Sequence, residues 1–342
     1  MDFLNNGCEP TELKEISLFL LMYADDTVLF SRSVTGLQSM LDTLALYTEK
    51  WSLTVNVAKT KIMVFRNGGI VKPQEHWVYK GEDIEIVDEF CYLGIVFYYN
   101  GKFHRTQKQL SLQCRKAVFA LKRKCSQMSF NHHTLLSLFD TYISSISYYG
   151  CEVWGAHAAQ DLEKVHLDFC KNILGVKRST PNAMIYAELG RVPMMCIRKL
   201  RMVKYWLKLL HSDNCILKSC IDYFQEELML KPNCKNWLSN VQNILSEIGL
   251  NNIWFNQADF NEKFIVMEVK QRLTDIYKQL IISDLNASSK CSLYKYVVDS
   301  VTLQSYLSKP IYNEYKILIS RLRLSSHCLN IETGKYNLKY PT

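Results

Sequence analysis

Two adjacent carboxylates, Asp25 and Asp26, lie between two short apolar runs at residues 18–22 and 28–30. Apolar runs of this length that flank a turn predict the two strands of a β-hairpin. The hairpin would place both carboxylates side by side at its tip, where their like charges repel each other. Hard divalent cations bind carboxylate oxygens, and such pairs occur in sites for two-metal phosphoryl transfer. The alternative is an exposed turn without a ligand, because Asp is a common turn residue.

Three motifs follow one another in the N-terminal part of the chain. They are Tyr-Ala-Asp-Asp-Thr at 23–27, Leu-Thr-Val-Asn-Val-Ala-Lys-Thr-Lys at 53–61 and Phe-Cys-Tyr-Leu-Gly-Ile at 90–95. A segment of helical period, 36–51, separates the first two. In this order and at this spacing the motifs resemble those of reverse transcriptases from non-LTR (LINE-type) retrotransposons. Weaker similarity to the same family continues at 173–176, 187–190 and 321–324.

The resemblance implies an α+β fold built from the C-terminal portion of such an enzyme. Residues 1–102 would form a partial palm, with the β-hairpin that carries the Tyr-Ala-Asp-Asp turn, a helix and further strands. Residues 103–178 would form a helical thumb, and residues 179–342 a mostly helical C-terminal region. The change from a strand-like to a helical period near Phe103 agrees with the first boundary.

The resemblance also implies nucleotidyl transfer from a deoxynucleotide triphosphate to a primer, with two Mg²⁺ ions. By motif, Asp25 would bind metal and Asp26 would support it. Lys59 is a candidate proton donor to pyrophosphate, and the alternative for it is an exposed lysine at a strand start. The hairpin of the third motif would hold the primer end, although its Tyr and Leu could equally be core residues. Its residues are Cys91, Tyr92, Leu93 and Gly94.

In the resembled family, fingers and a further metal-binding Asp precede the Tyr-Ala-Asp-Asp turn. Here only 22 residues precede Tyr23. We therefore expect a fragment with an incomplete two-metal site that does not polymerise alone, unless another acid such as Asp2 or Glu15 fills the gap. A non-catalytic nucleic-acid-binding remnant and a decayed transposon reading frame are the alternatives.

Positive charge is concentrated in one window. Residues 90–139 contain no Asp or Glu but eight Lys or Arg, which equals the formal net charge of +8. Within the window, 106–125 has a helical period, with one apolar face formed by Leu110, Cys114, Ala117, Leu121 and Cys125. The candidate ligands for the phosphates of an RNA/DNA primer-template duplex are Lys108, Arg115, Lys116, Lys122 and Arg123. The alternative is an ordinary solvated helix face.

Two more segments predict thumb helices. The first, 134–149, follows the cap Asn131, has Tyr142 in its core stripe and stops at Gly150, and the second, 161–175, is closed by Gly175. His132 and His133 are adjacent and would point apart, so we expect no metal site there. A second basic run without acids covers 189–212. It would either extend the nucleic-acid track or form a core helix whose basic stems cover apolar surface. Its exposed face would carry Arg198, Arg201, Lys204 and Lys208.

Composition indicates a soluble, globular, intracellular protein. The hydrophobic fraction of 48% and the charged fraction of 22% are ordinary. No apolar run approaches the ~20 residues of a membrane span, and the acidic N-terminal segment is unlike a signal peptide. The 12 cysteines include no Cys-x-x-Cys pair, so we expect reduced thiols rather than a zinc ribbon.

Overall fold

The computed structural model describes residues 3, 7–125, 128, 130–256 and 261–327. These residues form two compact units. The N-terminal unit comprises 1–106 together with 208–239, and the helical unit comprises 107–207 together with 240–342.

Short antiparallel hairpins supply the β-structure of the N-terminal unit. Each strand pairs with its neighbour in sequence to give a two-stranded sheet. The bounds are β1 Thr11–Leu13, β2 Ile16–Leu18, β3 Leu20–Tyr23, β4 Asp26–Leu29, β5 Val78–Tyr79, β6 Glu82–Asp83, β7 Glu89–Tyr92 and β8 Ile95–Tyr98. The predicted combination of helices with strands is therefore confirmed at the level of an α+β protein.

Helices make up most of the remaining regular structure. Their bounds are α1 Val34–Lys50, α2 His104–Cys125, α3 His132–Leu138, α4 Ser144–Ser147, α5 Cys151–Trp154, α6 Gln160–Leu174, α7 Asn182–Leu189, α8 Met194–Leu210, α9 Cys215–Leu230, α10 Trp237–Glu247, α11 Asn251–Phe255, α12 Glu262–Ala287, α13 Ser305–Ser308 and α14 Asn313–Arg323. A π-helical turn covers Phe139–Ile143. Single 3₁₀ turns cover Ser289–Cys291 and Tyr294–Tyr296. Within the described residues, none of these helices has the length and apolarity needed to cross a membrane.

Helix α1 organises the core of the N-terminal unit. It begins where Ser33 caps it, with the Ser33 hydroxyl accepting a hydrogen bond from the Gly36 N–H at 3.0 Å. One side of α1 is buried through Leu41, which packs against Ile62, Trp77, Tyr79 and Ile84. Leu29 of β4 packs on the same cluster, and so do Val55 and Val57. Strand β4, which begins at the acidic turn, therefore packs on the same core as the second motif at 53–61.

The predicted helix at 134–149 is interrupted. The chain forms α3, then the π-helical turn, then α4, and Gly150 follows with φ of +63° as predicted. A π-turn contains an extra residue, so the side chains after it are rotated relative to a regular helix. For this reason Tyr142, predicted to be in the core, is 60% exposed, whereas Phe139 and Ile143 are buried.

The second basic run forms α8, and Arg201, Lys204 and Lys208 are exposed as predicted, whereas the prediction for Arg198 is wrong. Arg198 is only 1% exposed, with its guanidinium above the Trp154 ring at 5.8 Å. Lys199 forms an ion pair with Glu247, and Arg201 lies 3.4 Å from Glu152. Most of this run is thus used in packing and ion pairing, as the core-helix alternative requires.

Two of the weaker motifs meet in the interior of the helical unit. Glu188 is fully buried and accepts hydrogen bonds from the Tyr294 hydroxyl at 2.7 Å, the Tyr306 hydroxyl at 2.6 Å and Arg323 Nε at 2.8 Å. Gly190 has a φ of +63°, and a Cβ there would lie 2.4 Å from the Leu303 nitrogen. The motifs at 187–190 and 321–324 therefore join distant parts of the chain.

Candidate acidic turn and nucleic-acid interface

The acidic turn has the predicted geometry at its tip. Tyr23 pairs with Asp26 in the β3–β4 ladder, so Ala24 and Asp25 form a two-residue turn and Asp26 begins β4. Ala24 has a φ of +55°. A positive φ at the first turn position is typical of a type II′ hairpin, where glycine is favoured. The strands cover 20–23 and 26–29 instead of 18–22 and 28–30.

Both carboxylates of this turn are exposed, as are Met22 at 60% and Tyr23 at 65%. Among the described residues, no group of three or more His, Cys, Asp or Glu side chains could hold a metal ion. Carboxylate oxygens are the ligands that Mg²⁺ prefers, so the chemistry of the pair fits this ion. Because Mg²⁺ takes about six ligands, Asp25 and Asp26 supply only part of one coordination shell. Asp2 lies outside the described residues, and Glu15 is exposed at the turn between β1 and β2.

Lys59 lies in a turn and not at a strand start. The Asn56 side chain accepts a hydrogen bond from the Lys59 N–H at 3.1 Å, and the Asn56 carbonyl accepts one from the Thr60 hydroxyl at 2.9 Å. Lys61 is held by the Ala58 carbonyl and by Glu85. The turn is thus stabilised by Asn56, Thr60 and Lys61. Lys59 makes no contribution through its side chain in these bonds and is exposed.

The hairpin of the third motif has a tight turn at its tip. Leu93 and Gly94 both have positive φ, +47° and +79°, which is the pattern of a type I′ turn. Cys91 is exposed, Tyr92 is half-buried and Leu93 is 40% exposed, so Leu93 is not a core residue.

Arg66 fixes the base of the same hairpin. Its guanidinium lies 4.2 Å from the Tyr99 ring, and Nη2 is 2.5 Å from an Asp88 carboxylate oxygen. The Arg66 N–H donates to the Tyr99 carbonyl at 2.9 Å, and the Tyr99 N–H donates to the Asp88 carbonyl at 2.9 Å. These contacts hold β7 and β8 together at the base of the hairpin.

In the helical unit, α2 separates the predicted apolar and basic faces. Leu110 and Cys114 are buried, and burial raises the pKa of the Cys114 thiol to about 12. Ala117, Leu121 and Cys125 are half-buried. The five predicted phosphate ligands are all exposed, and we call them the α2 stripe: Lys108, Arg115, Lys116, Lys122 and Arg123.

A carboxylate from another helix acts on the α2 stripe. The sequence window around the stripe has no acid, but Asp168 of α6 interacts electrostatically with Lys122. Partial burial lowers the pKa of Lys122, Asp168 acts in the opposite direction, and Arg178 adds to the lowering. Lys122 and Arg178 therefore bring two like charges near each other from different elements.

Sequence reasoning missed two apolar side chains on the stripe. Leu112 is 53% exposed and Phe119 is 70% exposed. Residues 108, 112, 115, 119 and 122 are spaced alternately by four and three, so they share one helix face. The sequence contains a signal for this face, because Leu112 and Phe119 are seven residues apart, the same spacing that separates Lys108, Arg115 and Lys122.

The N-terminal segment is similar to one known protein family. Residues 2–97 match the family model described as reverse transcriptase (RNA-dependent DNA polymerase). The matched segment contains the acidic turn, the Lys59 motif and most of the β7–β8 hairpin. No curated protein and no solved structure matches the chain. The match covers less than a third of the 342 residues. It supports the reverse-transcriptase resemblance for this segment.

Proposed function

We propose that the chain is part of an RNA-directed DNA polymerase of the non-LTR retrotransposon type. Residues 1–102 would be a partial palm, 103–178 a thumb and 179–342 a C-terminal region. The observation that carries this proposal is the family match at 2–97, which contains an exposed Asp25–Asp26 pair on a hairpin turn.

Each candidate residue has a role in this proposal. Asp25 and Asp26 would hold Mg²⁺, which when bound activates the attacking primer hydroxyl and neutralises charge on the leaving pyrophosphate. The exposed ammonium of Lys59 would donate a proton to pyrophosphate. The primer end would rest on the turn formed by Cys91, Tyr92, Leu93 and Gly94, where the glycine permits close approach of a backbone.

The α2 stripe would bind the primer-template duplex through its phosphates. An exposed cationic face without acids is the arrangement that binds phosphate backbones. Contacts to phosphates carry no base information, so binding should be independent of sequence and should weaken steeply as salt rises. Leu112 and Phe119 would add an apolar contact to sugars or bases on the same face.

A second candidate function is nucleic-acid binding without polymerisation. Two observations favour it: the described residues supply a complete basic helix face, but only a two-carboxylate turn for metal. Two Mg²⁺ ions need about a dozen ligands between them. A metal held from one side would be poorly positioned, and a displacement of about 1 Å can cost ~100-fold in rate.

Primer extension with the purified chain distinguishes the two functions. We expect no extension with Mg²⁺ or Mn²⁺ by the chain alone, while a primer-template duplex is still retained in a binding assay. Asp25→Ala serves as the matched control in both assays. Extension by the parent that this variant abolishes would contradict our expectation and would establish a working polymerase site. Absence of both extension and duplex binding would remove both candidate functions.

A further inference from the structure

Helix α14 exposes large apolar side chains to solvent. Seven of the residues 311–322 are exposed, and five of these seven are apolar, with between 38% and 80% of each residue exposed. Positions 311, 315, 318 and 322 are spaced by four, three and four residues, so they lie on one side of the helix. A contiguous exposed apolar patch usually marks an interaction surface. We call these five residues the α14 face: Ile311, Tyr312, Tyr315, Leu318 and Leu322.

The buried side of the same helix contains polar groups, which is unusual for a surface helix. Lys316 is buried, and its ammonium group donates to the Leu307 carbonyl at 2.8 Å. Ser320 is fully buried, and its hydroxyl donates to the Lys316 carbonyl at 2.9 Å. The fold therefore places polar groups of α14 inside and large apolar groups outside. Covering the outer side chains with a partner would add favourable apolar burial.

Two charged side chains complete the exposed surface of α14. Glu314 lies near the N-terminal end of the helix, and Arg321 lies seven residues later, near the C-terminal end. Seven residues make about two turns, so both charges lie on the same side of the helix, about 10 Å apart along its axis. The Arg321 Nε donates to the Gly175 carbonyl at 2.7 Å, which holds this guanidinium in place. The surface thus has one negative end and one positive end.

These charges make the surface complementary to a second copy of itself. If two α14 helices packed in parallel, equal charges of the two copies would face each other, which is unfavourable. If they packed antiparallel, each Glu314 would lie near Arg321 of the second copy. An antiparallel pair related by a two-fold axis buries the same patch of both copies.

The apolar side chains fit the same antiparallel arrangement. A two-fold axis between positions 316 and 317 places Ile311 opposite Leu322 of the second copy and Tyr315 opposite Leu318 of the second copy. The same axis leaves positions 314 and 321 of the two copies about 3 Å apart along the helix direction, which is within reach of an ion pair. One register therefore satisfies both the apolar groups and the charges.

The area of the α14 face is sufficient for such a contact. Its five side chains at these exposures present roughly 600 Å², since a large aromatic side chain alone buries about 150–250 Å². Two copies would bury about 1,200 Å² between them, at the lower end of the range for specific interfaces. An interface of this size indicates a weak dimer with a micromolar dissociation constant.

We propose that the α14 face is a homodimer interface, through which two copies of the chain pair antiparallel. The apolar side chains form the centre of the interface, and the two pairs of Glu314 with Arg321 form its polar rim. The interface uses neither the acidic turn nor the α2 stripe, so the inference does not rest on the proposed polymerase function.

Sedimentation velocity of the full chain, without nucleic acid, tests the dimer from about 1 to about 100 μM, a range that brackets a micromolar dissociation constant. The mass should rise from that of the monomer, 39.9 kDa, towards twice this value. Leu318→Ser removes an apolar side chain from each copy and should weaken dimerisation at least about tenfold. Because Leu318 is exposed, the variant should keep the thermal midpoint of the parent. Leu280→Ser, at a similarly exposed leucine of α12, is the matched control and should dimerise like the parent.

Charge exchange tests the antiparallel arrangement. Glu314→Arg and Arg321→Glu should each weaken dimerisation about tenfold, because each places like charges opposite one another. The double variant with both changes restores opposite charges and should dimerise within about threefold of the parent. The single change at Arg321 and the double variant both lose the bond to Gly175, so that bond does not explain a difference between them.

Three results would overturn the proposal. The first is a parent chain that stays monomeric over the whole range, and the second is a Leu318→Ser variant that dimerises like the parent. The third is a double charge variant that dimerises as weakly as the single variants. If the parent is monomeric and Leu318→Ser instead weakens retention of a primer-template duplex, the α14 face belongs to nucleic-acid binding. None of these variants alters Asp25, Asp26 or the α2 stripe, so a monomeric chain leaves the proposed function standing.

Discussion

His132 is a buried histidine whose two ring nitrogens have different surroundings. It is 2% exposed, and Nε2 donates to the Ile173 carbonyl at 3.1 Å. In the described part of the chain Nδ1 has no partner, so a second proton there would be a buried, unpaired donor. Burial lowers the pKa of His132; the Ile173 bond opposes this shift and Lys316 adds to it. His133, next in sequence, is exposed, as expected for adjacent residues on a helix.

We expect acid to destabilise the protein through His132. The unfolded chain binds a proton near pH 6.5 and the folded chain only at lower pH, so the free energy of unfolding falls as pH decreases below about 6.5. The loss is at most about 1.4 kcal/mol per pH unit. Denaturant unfolding at pH 7.5 and 5.5 should show a smaller loss in His132→Gln than in the parent. His133→Gln should keep the slope of the parent, and identical slopes in all three proteins would refute this account.

At the scale of single elements, α2 has both an apolar core face and an exposed basic face. The spacing of apolar and basic residues along the sequence is enough to produce these two faces, because residues three and four apart lie on one side of a helix. The α2 stripe then has a charge density that its own sequence window does not compensate. Leu112 and Phe119 make the same face partly apolar.

Charge reversal on the α2 stripe tests whether its cations contact phosphates directly or act only through the net charge of the chain. We expect the combined change Lys108→Glu, Arg115→Glu and Lys122→Glu to weaken duplex binding equally for all sequences. Losing three phosphate contacts should also reduce the slope of log affinity against log salt by about 3. The measurement is a fluorescence-anisotropy titration at several salt concentrations.

The matched control makes the same change in net charge elsewhere in the helical unit. Lys263, Lys270 and Lys290 are exposed, and the first two lie on α12. Reversal of these three should leave most of the affinity. Equal losses in the two triple variants would mean that the α2 stripe is an ordinary solvated face.

At the scale of the whole molecule, Glu188 connects segments that are far apart in sequence. It lies 106 residues from Tyr294 and 135 residues from Arg323, and it binds both. The charge of this fully buried carboxylate is balanced by the Arg323 guanidinium, and the two tyrosine hydroxyls satisfy its remaining acceptor sites. Removal of one member of such a buried network leaves the other members unpaired.

Glu188→Gln should therefore destabilise the helical unit by roughly 3 kcal/mol, because the arginine loses its counter-charge in a partly buried site. Urea unfolding followed by far-UV circular dichroism would measure this loss. Glu268→Gln is the control: it removes an i,i+4 pair between the half-buried Glu268 and the exposed Arg272 and should cost less than about 0.5 kcal/mol. A loss at Glu188 as small as that of the control would show that the network is dispensable.

The sequence by itself determined the features that depend on neighbouring residues. These include the hairpin tip with Asp25, the capped helix α1, the two faces of α2 and the glycine stops at Gly150 and Gly175. Alternation, helical period, capping side chains and positive φ act within a few residues, so a local pattern is enough to predict them.

Tertiary structure alone decided the features that depend on distant partners. Arg198 has the spacing of an exposed basic residue, but packing against Trp154 buries it. The π-turn places Tyr142 in solvent and Asp140 beside Arg191, and the local sequence pattern does not predict the extra residue of this turn. Glu188 acquires its hydrogen-bond partners from segments that lie far from it in the sequence. Burial and pairing are properties of the folded neighbourhood, which a local pattern does not contain.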